Sequence, residues 1–206
     1  MKRKSEEKFN KKKEKKVTKE SLRAEIKAKR EKLLAEEVKE KSRLIKEKLF
    51  SLPEFKSAHT VAFYADLKES KEVETGEMIK ESLEMGKRVL IPITDLIGKK
   101  LVFSEIRKLE DLSPGTFDIL EPIPELRKIL PYEAIRLIVV PGVAFDLHGH
   151  RIGYGLGFYD RCLSKLTRYV TKIGLAFELQ IVDKLPREDH DIKLNKVITE
   201  ERIIER

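Results

Sequence analysis

The 206-residue chain has a single cysteine, Cys162, and lacks any long uninterrupted run of apolar residues. A lone cysteine cannot form a disulfide within the chain, which favours a reducing compartment. No apolar stretch approaches the roughly 20 residues that span a bilayer, and the lysine-rich start lacks the apolar centre of a signal peptide. We therefore expect a cytoplasmic protein with no membrane partner.

The positive charge is concentrated at the start of the chain. The net charge is +8, and residues 1–16 hold nine Lys and Arg against three Glu. We expect residues 1–16 to be a basic, disordered tail and residues 17–206 to form a single domain. No RNA-binding module or stacking platform is recognisable, so we do not expect nucleic acid to be the partner. A basic nucleotide- or RNA-binding protein is the alternative, and salt-dependent RNA affinity that is lost with the tail would favour it.

The hydrophobic pattern predicts an α/β fold. Apolar residues recur at intervals near three and four from Val17 to about Phe50, which predicts helix, with a break near Ala35–Glu37 and a stop at Pro53. The rest alternates between predicted strands and a helix: strand Thr60–Ala65, helix Val73–Met85 with Gly86 at its C-terminal cap, and strands Arg88–Ile93, Leu101–Ile106, Ala134–Phe145, Val170–Phe177 and Lys196–Thr199. This order predicts an open, largely parallel sheet with helices on both faces and an N-terminal helical segment. Residues 112–125, rich in Pro and Gly, are predicted to be an ordered surface loop.

Glycine is scarce, with 10 in the chain, yet Gly153, Gly155 and Gly157 stand together in "RIGYGLGFYDR" at 151–161. Without a Cβ, such a segment can adopt positive φ angles, so that successive N–H groups converge on a phosphate and a helix start adds positive charge. Arg151 and Arg161 flank the loop and can neutralise an anion. The spacing matches neither the P-loop nor the dinucleotide motif, so a plain strand-to-helix turn is an equal alternative.

A longer run around these glycines resembles a known family. "VVPGVAFDLHGHRIGYGLGFYDRCL", at 139–163, resembles the signature P-G-[VL]-[AG]-F-D-x-x-G-x-R-[LI]-G-x-G-x-G-Y-Y-D of the 5-formyltetrahydrofolate cyclo-ligase family. Weaker matches follow in order: "KESLR" at 19–23, "EVETGEMIKESLEMGKRVLIP" at 72–92, "DILEP" at 118–122 and "HDIKLNKVITEE" at 190–201. The resemblance covers about Lys19 to Glu201 and leaves the basic tail outside.

The resemblance implies an enzyme that uses ATP and Mg²⁺ to convert 5-formyltetrahydrofolate, with or without a polyglutamate tail, to 5,10-methenyltetrahydrofolate, releasing ADP and phosphate. Phosphorylation turns the formyl oxygen into a leaving group, and a neighbouring folate nitrogen then closes the ring. The protein's tasks are positioning and charge stabilisation. We expect a monomer. A different ATP-using enzyme on this fold is a further alternative, because fold does not fix chemistry.

The resemblance also implies roles for individual residues. It assigns catalysis to Arg151 and Tyr159 and Mg²⁺ binding to Asp160 and Asp191, whose oxygens suit a hard cation. The predicted ATP contacts are Lys19, Arg23, Arg151, Ile152, Gly153, Tyr154, Gly155, Leu156, Gly157, Phe158 and Tyr159. The predicted folate contacts are Tyr64, Glu72, Tyr154, Gly155, Leu156, Gly157 and Phe158. Phe158 departs from the usual Tyr of the family, which removes a hydroxyl but keeps a stacking ring.

Simpler interpretations exist for several of these residues. Lys19 and Arg23 can be solvated charges on a helix face, Glu72 can stabilise a helix N-terminus, and Asp160 can pair with its neighbour Arg161. Glu74 competes with Glu72, and Asp189 competes with Asp191. The remaining candidates are interpreted as structural, because the histidines lack a metal-like grouping and the cysteine lacks a nucleophile arrangement: His148, His150, His190 and Cys162.

Overall fold

The computed structural model describes residues 18–186 and 191–205. The predicted tail at 1–16, Asp189 and His190 lie outside them. The helices are α1 Lys19–Arg30, α2 Ala35–Ser51, α3 Pro53–Ser57, α4 Gly76–Glu84 and α5 Phe158–Leu163. The strands are β1 Thr60–Ala62, β2 Arg88–Asp95, β3 Lys100–Ile106, β4 Leu112–Pro114, β5 Leu120–Pro122, β6 Lys128–Leu130, β7 Leu137–Val140, β8 Ala144–Asp146, β9 Arg151–Ile152, β10 Thr171–Leu175, β11 Ile181–Val182, β12 Lys196–Ile198 and β13 Ile203–Glu205. None of the helices in this part of the chain combines the length and apolarity needed to cross a bilayer.

The central sheet has eight strands in the order β13-β12-β10-β7-β1-β2-β3-β6. The inner strands β12, β10, β7, β1 and β2 pair in parallel. The outer strands β13, β3 and β6 pair antiparallel. The predicted open, largely parallel α/β sheet is confirmed, and its edges are antiparallel because short connections join β2 to β3 and β12 to β13.

Helices cover both faces of this sheet, as predicted. Alternate residues of each inner strand enter two separate cores: Val61 and Val89 lie in the core beneath α2, α3 and α4, whereas Ala62 and Leu90 lie in the core with α5. All four residues of β7 are fully buried. A parallel strand covered on both faces carries apolar residues at every position, which explains its unbroken apolar sequence.

Helix α1 packs on the hairpin formed by β8 and β9. Its buried residues Leu22 and Ile26 join Val143, Ala144 and Ile152 in a third apolar cluster. Thr18 caps the helix by accepting a hydrogen bond from the Ser21 backbone N–H at 3.1 Å. The helix therefore lies directly beside the segment that carries the three clustered glycines.

Several predicted boundaries were wrong. The N-terminal helical segment breaks at residues 31–34, before Ala35 rather than within Ala35–Glu37. Helix α4 begins at Gly76, three residues after the predicted start, and ends at Glu84, one residue before the predicted end. Gly86 has the positive φ expected of the C-terminal cap, +75°, and the Lys87 N–H donates to the Ser82 carbonyl oxygen. The predicted strand Ala134–Phe145 is divided into β7 and β8 at Pro141, which has no N–H for the ladder.

The predicted loop at 112–125 is partly a two-stranded ribbon. Strands β4 and β5 pair antiparallel, with Ser113 opposite Glu121. The buried Glu121 carboxylate accepts a hydrogen bond from the Thr94 N–H at 2.9 Å, which fixes the ribbon to β2. A long-range contact of this kind leaves no local signal in the sequence.

Candidate active site

The loop with clustered glycines runs from β9 to α5 and needs glycine at two positions. Gly155 has φ +107° and Gly157, at the N-cap of α5, has φ +68°. Residues with a Cβ rarely adopt such angles. Gly155 and the neighbouring Tyr154 and Leu156 are exposed. We call residues 153–157 the glycine loop.

Two predicted ATP-binding residues of α1 lie against this part of the fold. Arg23 Nε donates a hydrogen bond to the Gly153 carbonyl oxygen at 2.8 Å. Lys19 Nζ lies 2.8 and 3.1 Å from the two carboxylate oxygens of Asp191. Their side chains are only 21% and 17% exposed, so the interpretation as ordinary solvated charges is wrong.

Arg151 lies at the base of the glycine loop and is buried. Its Nη2 donates to Asp160 Oδ1 at 2.8 Å, and its guanidinium lies 5.9 Å from the centroid of the Tyr159 ring. Burial lowers the pKa of Arg151, while the charge of Asp160 raises it. Within the described residues, Arg151 Nε is buried without a hydrogen-bond partner. A buried guanidinium with a spare donor suits a site that receives an anion.

Asp160 and Asp191 both interact electrostatically with Arg151, because the negative charge of each raises the pKa of the Arg151 guanidinium. The expected alternative, a local ion pair between Asp160 and Arg161, is wrong: Asp160 pairs with Arg151, and Arg161 Nη2 donates instead to the Leu156 carbonyl oxygen at 2.9 Å. Among residues 18–186 and 191–205 no group of three or more potential metal ligands occurs. Two carboxylates fit Mg²⁺, which typically takes one or two from the protein together with phosphate oxygens and water.

Glu72 lies in the connection between β1 and α4, and its side chain reaches the glycine loop. It is 8% exposed, and its carboxylate accepts hydrogen bonds from the Tyr154 hydroxyl and from the Leu67 N–H, the latter at 2.9 Å. Burial raises the pKa of Glu72, whereas the Tyr154 hydrogen bond and the charge of Arg30 oppose this rise. Because α4 begins four residues later, Glu72 is not in its first turn, and the helix-terminus interpretation is wrong.

The competing acid, Glu74, lies in a different environment. Its backbone N–H donates to Ser42 Oγ at 2.9 Å, and burial, followed by the charge of Asp66, raises the pKa of its side chain. Glu72 therefore contacts the glycine loop through its side chain, and no described hydrogen bond gives Glu74 such a contact.

Three predicted contact residues have side chains that serve the core. Tyr64 is 4% exposed and donates from its hydroxyl to the Val73 carbonyl oxygen at 2.9 Å. Burial, followed by the charge of Glu72, raises the Tyr64 pKa. Ile152 is buried beneath α1, and Phe158 packs on the core with α5. Ile152 can therefore contact ATP only through its backbone.

Tyr159 lies between the two main cores and contacts both. Burial raises the pKa of its hydroxyl, and the positive charge of Arg151 opposes the rise. The hydroxyl therefore stays protonated at neutral pH and can act as a hydrogen-bond donor.

Two basic residues beside the loop were not predicted. Lys27 Nζ lies 5.1 Å from the centroid of the Tyr154 ring, and Arg30 Nη2 donates to the Tyr154 hydroxyl oxygen at 2.9 Å. Together with Lys19 and Arg23 they recur at intervals of four, four and three along α1. Residues with this spacing share one helix face, and this was the signal available in the sequence.

Two of the groups interpreted as structural, His150 and Cys162, have side chains buried in structural contacts. His150 Nδ1 lies 3.0 Å from the fully buried carboxylate of Asp146, which also accepts N–H groups of His148 and Leu185. Cys162 is 1% exposed, and burial raises its thiol pKa to about 12. A thiol that stays protonated at neutral pH is a poor nucleophile.

Comparison with known proteins places these features in a family. The profile of the 5-formyltetrahydrofolate cyclo-ligase family matches residues 15–200. The chain is 34% identical over 160 residues to the 5-formyltetrahydrofolate cyclo-ligase of Escherichia coli K12, covering 77% of this chain and 87% of the relative. It is 32% identical over 202 residues to a probable 5-formyltetrahydrofolate cyclo-ligase of Schizosaccharomyces pombe, covering 91% and 98%.

Solved structures agree with the sequence relatives. The NMR structure of Aquifex aeolicus 5,10-methenyltetrahydrofolate synthetase superposes with a TM-score of 0.80 at 33% identity, covering 92% of this chain and 93% of the other. The Mycoplasma pneumoniae 5,10-methenyltetrahydrofolate synthetase superposes with a TM-score of 0.72 at 26% identity, covering 89% and 99%. Sequence profile, relatives and fold agree over nearly the whole domain, and the chain belongs to the 5-formyltetrahydrofolate cyclo-ligase family.

Proposed function

We propose that this chain catalyses the ATP-dependent conversion of 5-formyltetrahydrofolate to 5,10-methenyltetrahydrofolate, with release of ADP and phosphate. The observation that carries the proposal is the meeting of three features at the glycine loop: the basic face of α1, the buried Arg151 paired with the half-buried Asp160, and the buried carboxylate of Glu72. An anionic co-substrate and a donor-rich pterin require cations on one side and an acceptor on the other.

ATP is proposed to bind between the glycine loop and α1. Positive φ angles at Gly155 and Gly157 let the loop backbone approach phosphates closely. Lys19 and Arg23 supply positive charge from α1, and their side chains are already held against the loop and Asp191. Exchange of these internal contacts for phosphate oxygens keeps the charges satisfied.

Folate is proposed to bind at Glu72. An ionised carboxylate accepts two or more hydrogen bonds, which matches the amino and ring N–H groups of a pterin. The Tyr154 hydroxyl donates to one oxygen of this carboxylate. With ATP and folate bound in this way, residues 154–158 contact both substrates, and the formyl group and the terminal phosphate of ATP meet at the glycine loop.

The reaction needs positioning more than covalent chemistry. The formyl oxygen attacks the terminal phosphorus of ATP, the bond to the bridging oxygen breaks, and ADP leaves. The second folate nitrogen then adds to the formyl carbon and loses its proton, and the C–O bond breaks to release phosphate. Arg151, whose buried Nε has no hydrogen-bond partner among the described residues, is placed to stabilise the phosphoryl group, and Tyr159 supports the guanidinium through its ring.

Asp160 and Asp191 are proposed to hold Mg²⁺. Bound Mg²⁺ would neutralise charge on the transferring phosphoryl group. The two carboxylates now pair with Arg151 and Lys19, so metal binding would release both cations toward phosphate. Asp191 is assigned because its carboxylate pairs with Lys19, which is proposed to bind ATP.

We further propose a monomeric, cytoplasmic enzyme. Cys162 is buried as a free thiol, in keeping with a reducing compartment. Sedimentation measures the oligomeric state, and substrates with and without a polyglutamate tail measure whether the tail contributes to binding.

An omission assay tests the proposed function. The conjugated methenyl product absorbs in the near ultraviolet, so its formation is followed directly on mixing protein, 5-formyltetrahydrofolate, ATP and Mg²⁺. We expect an absorbance rise that disappears when either ATP or Mg²⁺ is omitted. A folded protein that gives no rise with the complete mixture would contradict the proposal, and RNA binding and a panel of other ATP-dependent substrates would then be tested.

A further inference from the structure

Arg30, at the end of α1, is a buried cation with no place in the proposed chemistry. It is 2% exposed, and its Nε has no hydrogen-bond partner among the described residues. Its Nη2 donates to the Tyr154 hydroxyl oxygen at 2.9 Å, and its guanidinium lies 5.9 Å from the centroid of the same ring. Burial of an arginine costs free energy unless the guanidinium has a hydrogen-bond partner. For Arg30 this partner is Tyr154 of the glycine loop.

The hydrogen bond from Arg30 to Tyr154 continues to Glu72, the proposed folate-binding residue. The Tyr154 hydroxyl accepts from Arg30 and donates its own proton to Glu72. One chain of hydrogen bonds thus joins α1, the glycine loop and the segment before α4. A hydroxyl polarised by a cation is a stronger donor, so Arg30 strengthens the hydrogen bond that Glu72 receives.

The groups that face Glu72 come from each neighbouring element, and they act in opposite directions. Arg30 of α1 and the Tyr154 hydroxyl favour the carboxylate, as does the Leu67 N–H. Burial and the negative charge of Asp66, which follows β1, favour the neutral acid. Lys27 Nζ, also on α1, lies 5.1 Å from the centroid of the Tyr154 ring, and the hydroxyls of Tyr64 and Tyr159 interact electrostatically with Glu72.

We propose that Arg30 is a positioning residue for folate binding: through Tyr154 it holds Glu72 oriented and ionised, and thereby sets the lower pH limit of folate affinity. The inference rests on the proposed role of Glu72 in folate binding. A protonated glutamic acid accepts fewer hydrogen bonds, and its O–H would face the N–H donors of the pterin. Folate affinity therefore falls where Glu72 becomes protonated.

The test is titration calorimetry of 5-formyltetrahydrofolate, without ATP, across a range of pH with native protein, Arg30→Met and Arg30→Lys. Loss of an opposite charge raises a carboxyl pKa by about one unit or more, so the pH at which affinity falls should rise by about one unit in Arg30→Met. At the native midpoint this shift weakens binding by about fivefold, at the new midpoint by about twofold, and well above both midpoints affinity stays close to native. Arg30→Lys, which keeps the charge, should restore most of the native pH profile.

A matched background isolates the link to Glu72. In Glu72→Gln protein the side chain cannot ionise, so adding Arg30→Met should change affinity equally at every pH. If Arg30→Met fails to fold, Tyr154→Phe is used in its place, because this substitution removes the hydroxyl that links Arg30 to Glu72 but keeps the ring. Tyr154→Phe should shift the pH profile of folate affinity in the same direction.

If native protein binds 5-formyltetrahydrofolate, the proposed function stands, and either of two results would overturn the inference about Arg30. One is a loss of affinity in Arg30→Met that is the same at every pH. The other is a pH-dependent loss that persists in the Glu72→Gln background. An unchanged profile in Tyr154→Phe has the same consequence. Folded native protein that binds no 5-formyltetrahydrofolate would overturn the proposed function together with the inference.

Discussion

The guanidinium of Arg151 donates a hydrogen bond to Asp160 at 2.8 Å across the base of the glycine loop. Arg151 is buried while the Asp160 side chain is 25% exposed, so the pair presents its carboxylate toward solvent and keeps its cation inside. Such a pair can exchange partners when a metal and a phosphate arrive, because each charge then meets a new counter-charge.

Asp160→Asn tests this exchange. The amide can still accept from Arg151 but carries no charge for Mg²⁺, so turnover should fall by about 100-fold with a higher Mg²⁺ requirement. The free energy of unfolding should fall by only about 1–2 kcal/mol, since a hydrogen bond to a charged group is weakened rather than removed. Initial rates against Mg²⁺ concentration and urea unfolding measure the two effects. Asp118→Asn, at an exposed position with φ +58° that asparagine tolerates, is the control. Parallel losses of stability and activity would indicate a structural role for Asp160.

Gly155→Ala tests the conformation of the glycine loop. Gly155 has φ +107°, and a Cβ there costs about 1–3 kcal/mol of backbone strain, which the exposed loop will relieve by moving. We expect kcat/KM for ATP to fall at least about tenfold. Gly76→Ala is the matched control, because Gly76 begins α4 with open space around it and no positive φ. Equal, near-native kinetics for both variants would show that ATP binding does not depend on the loop geometry.

Lys19→Met tests the basic face of α1. Removal of a charged contact to phosphate should raise KM for ATP by about tenfold or more and leave kcat less affected. Lys29→Met lies on the same helix but pairs with Glu25 at the exposed surface, and it should leave KM for ATP unchanged. If the two variants behave alike, Lys19 does not contact ATP.

Cys162 should be dispensable for catalysis. Its thiol pKa is raised to about 12 by burial, so the thiolate is scarce at any pH up to about 10 and the native protein should resist thiol reagents. Cys162→Ala should cost about 1–2 kcal/mol of unfolding free energy and retain turnover. Reagent titration before and after unfolding, with turnover of the variant, measures this. Abolished turnover in a folded variant would assign the thiol a role in the reaction.

The sequence predicted the architecture through patterns that depend on local physics. The continuous apolar run of β7 follows from burial on both faces, and Gly86 ends α4 because its left-handed backbone needs no Cβ. The ribbon of β4 and β5 depends on contacts such as Glu121 with Thr94, which join distant segments and leave no local periodicity.

The candidate site was predictable only in part for a similar reason. The glycine loop was evident from its composition, and the family resemblance supplied Glu72 and the two aspartates. Sequence proximity suggested Arg161 as the partner of Asp160, whereas the fold selects Arg151. Lys27 and Arg30 have no signal in the sequence beyond their helical spacing with Lys19 and Arg23, and the packing of α1 on the β8–β9 hairpin brings them to Tyr154.

The most direct measurement of the central claim is the stoichiometry of ADP release and methenyl formation in one reaction mixture containing 5-formyltetrahydrofolate, ATP and Mg²⁺. We expect one ADP for each methenyl product, with both signals lost together when folate is omitted, because phosphorylation of the formyl group is the step that couples them. ADP release that proceeds without methenyl formation, or methenyl formation that proceeds without ADP release, would contradict this expectation.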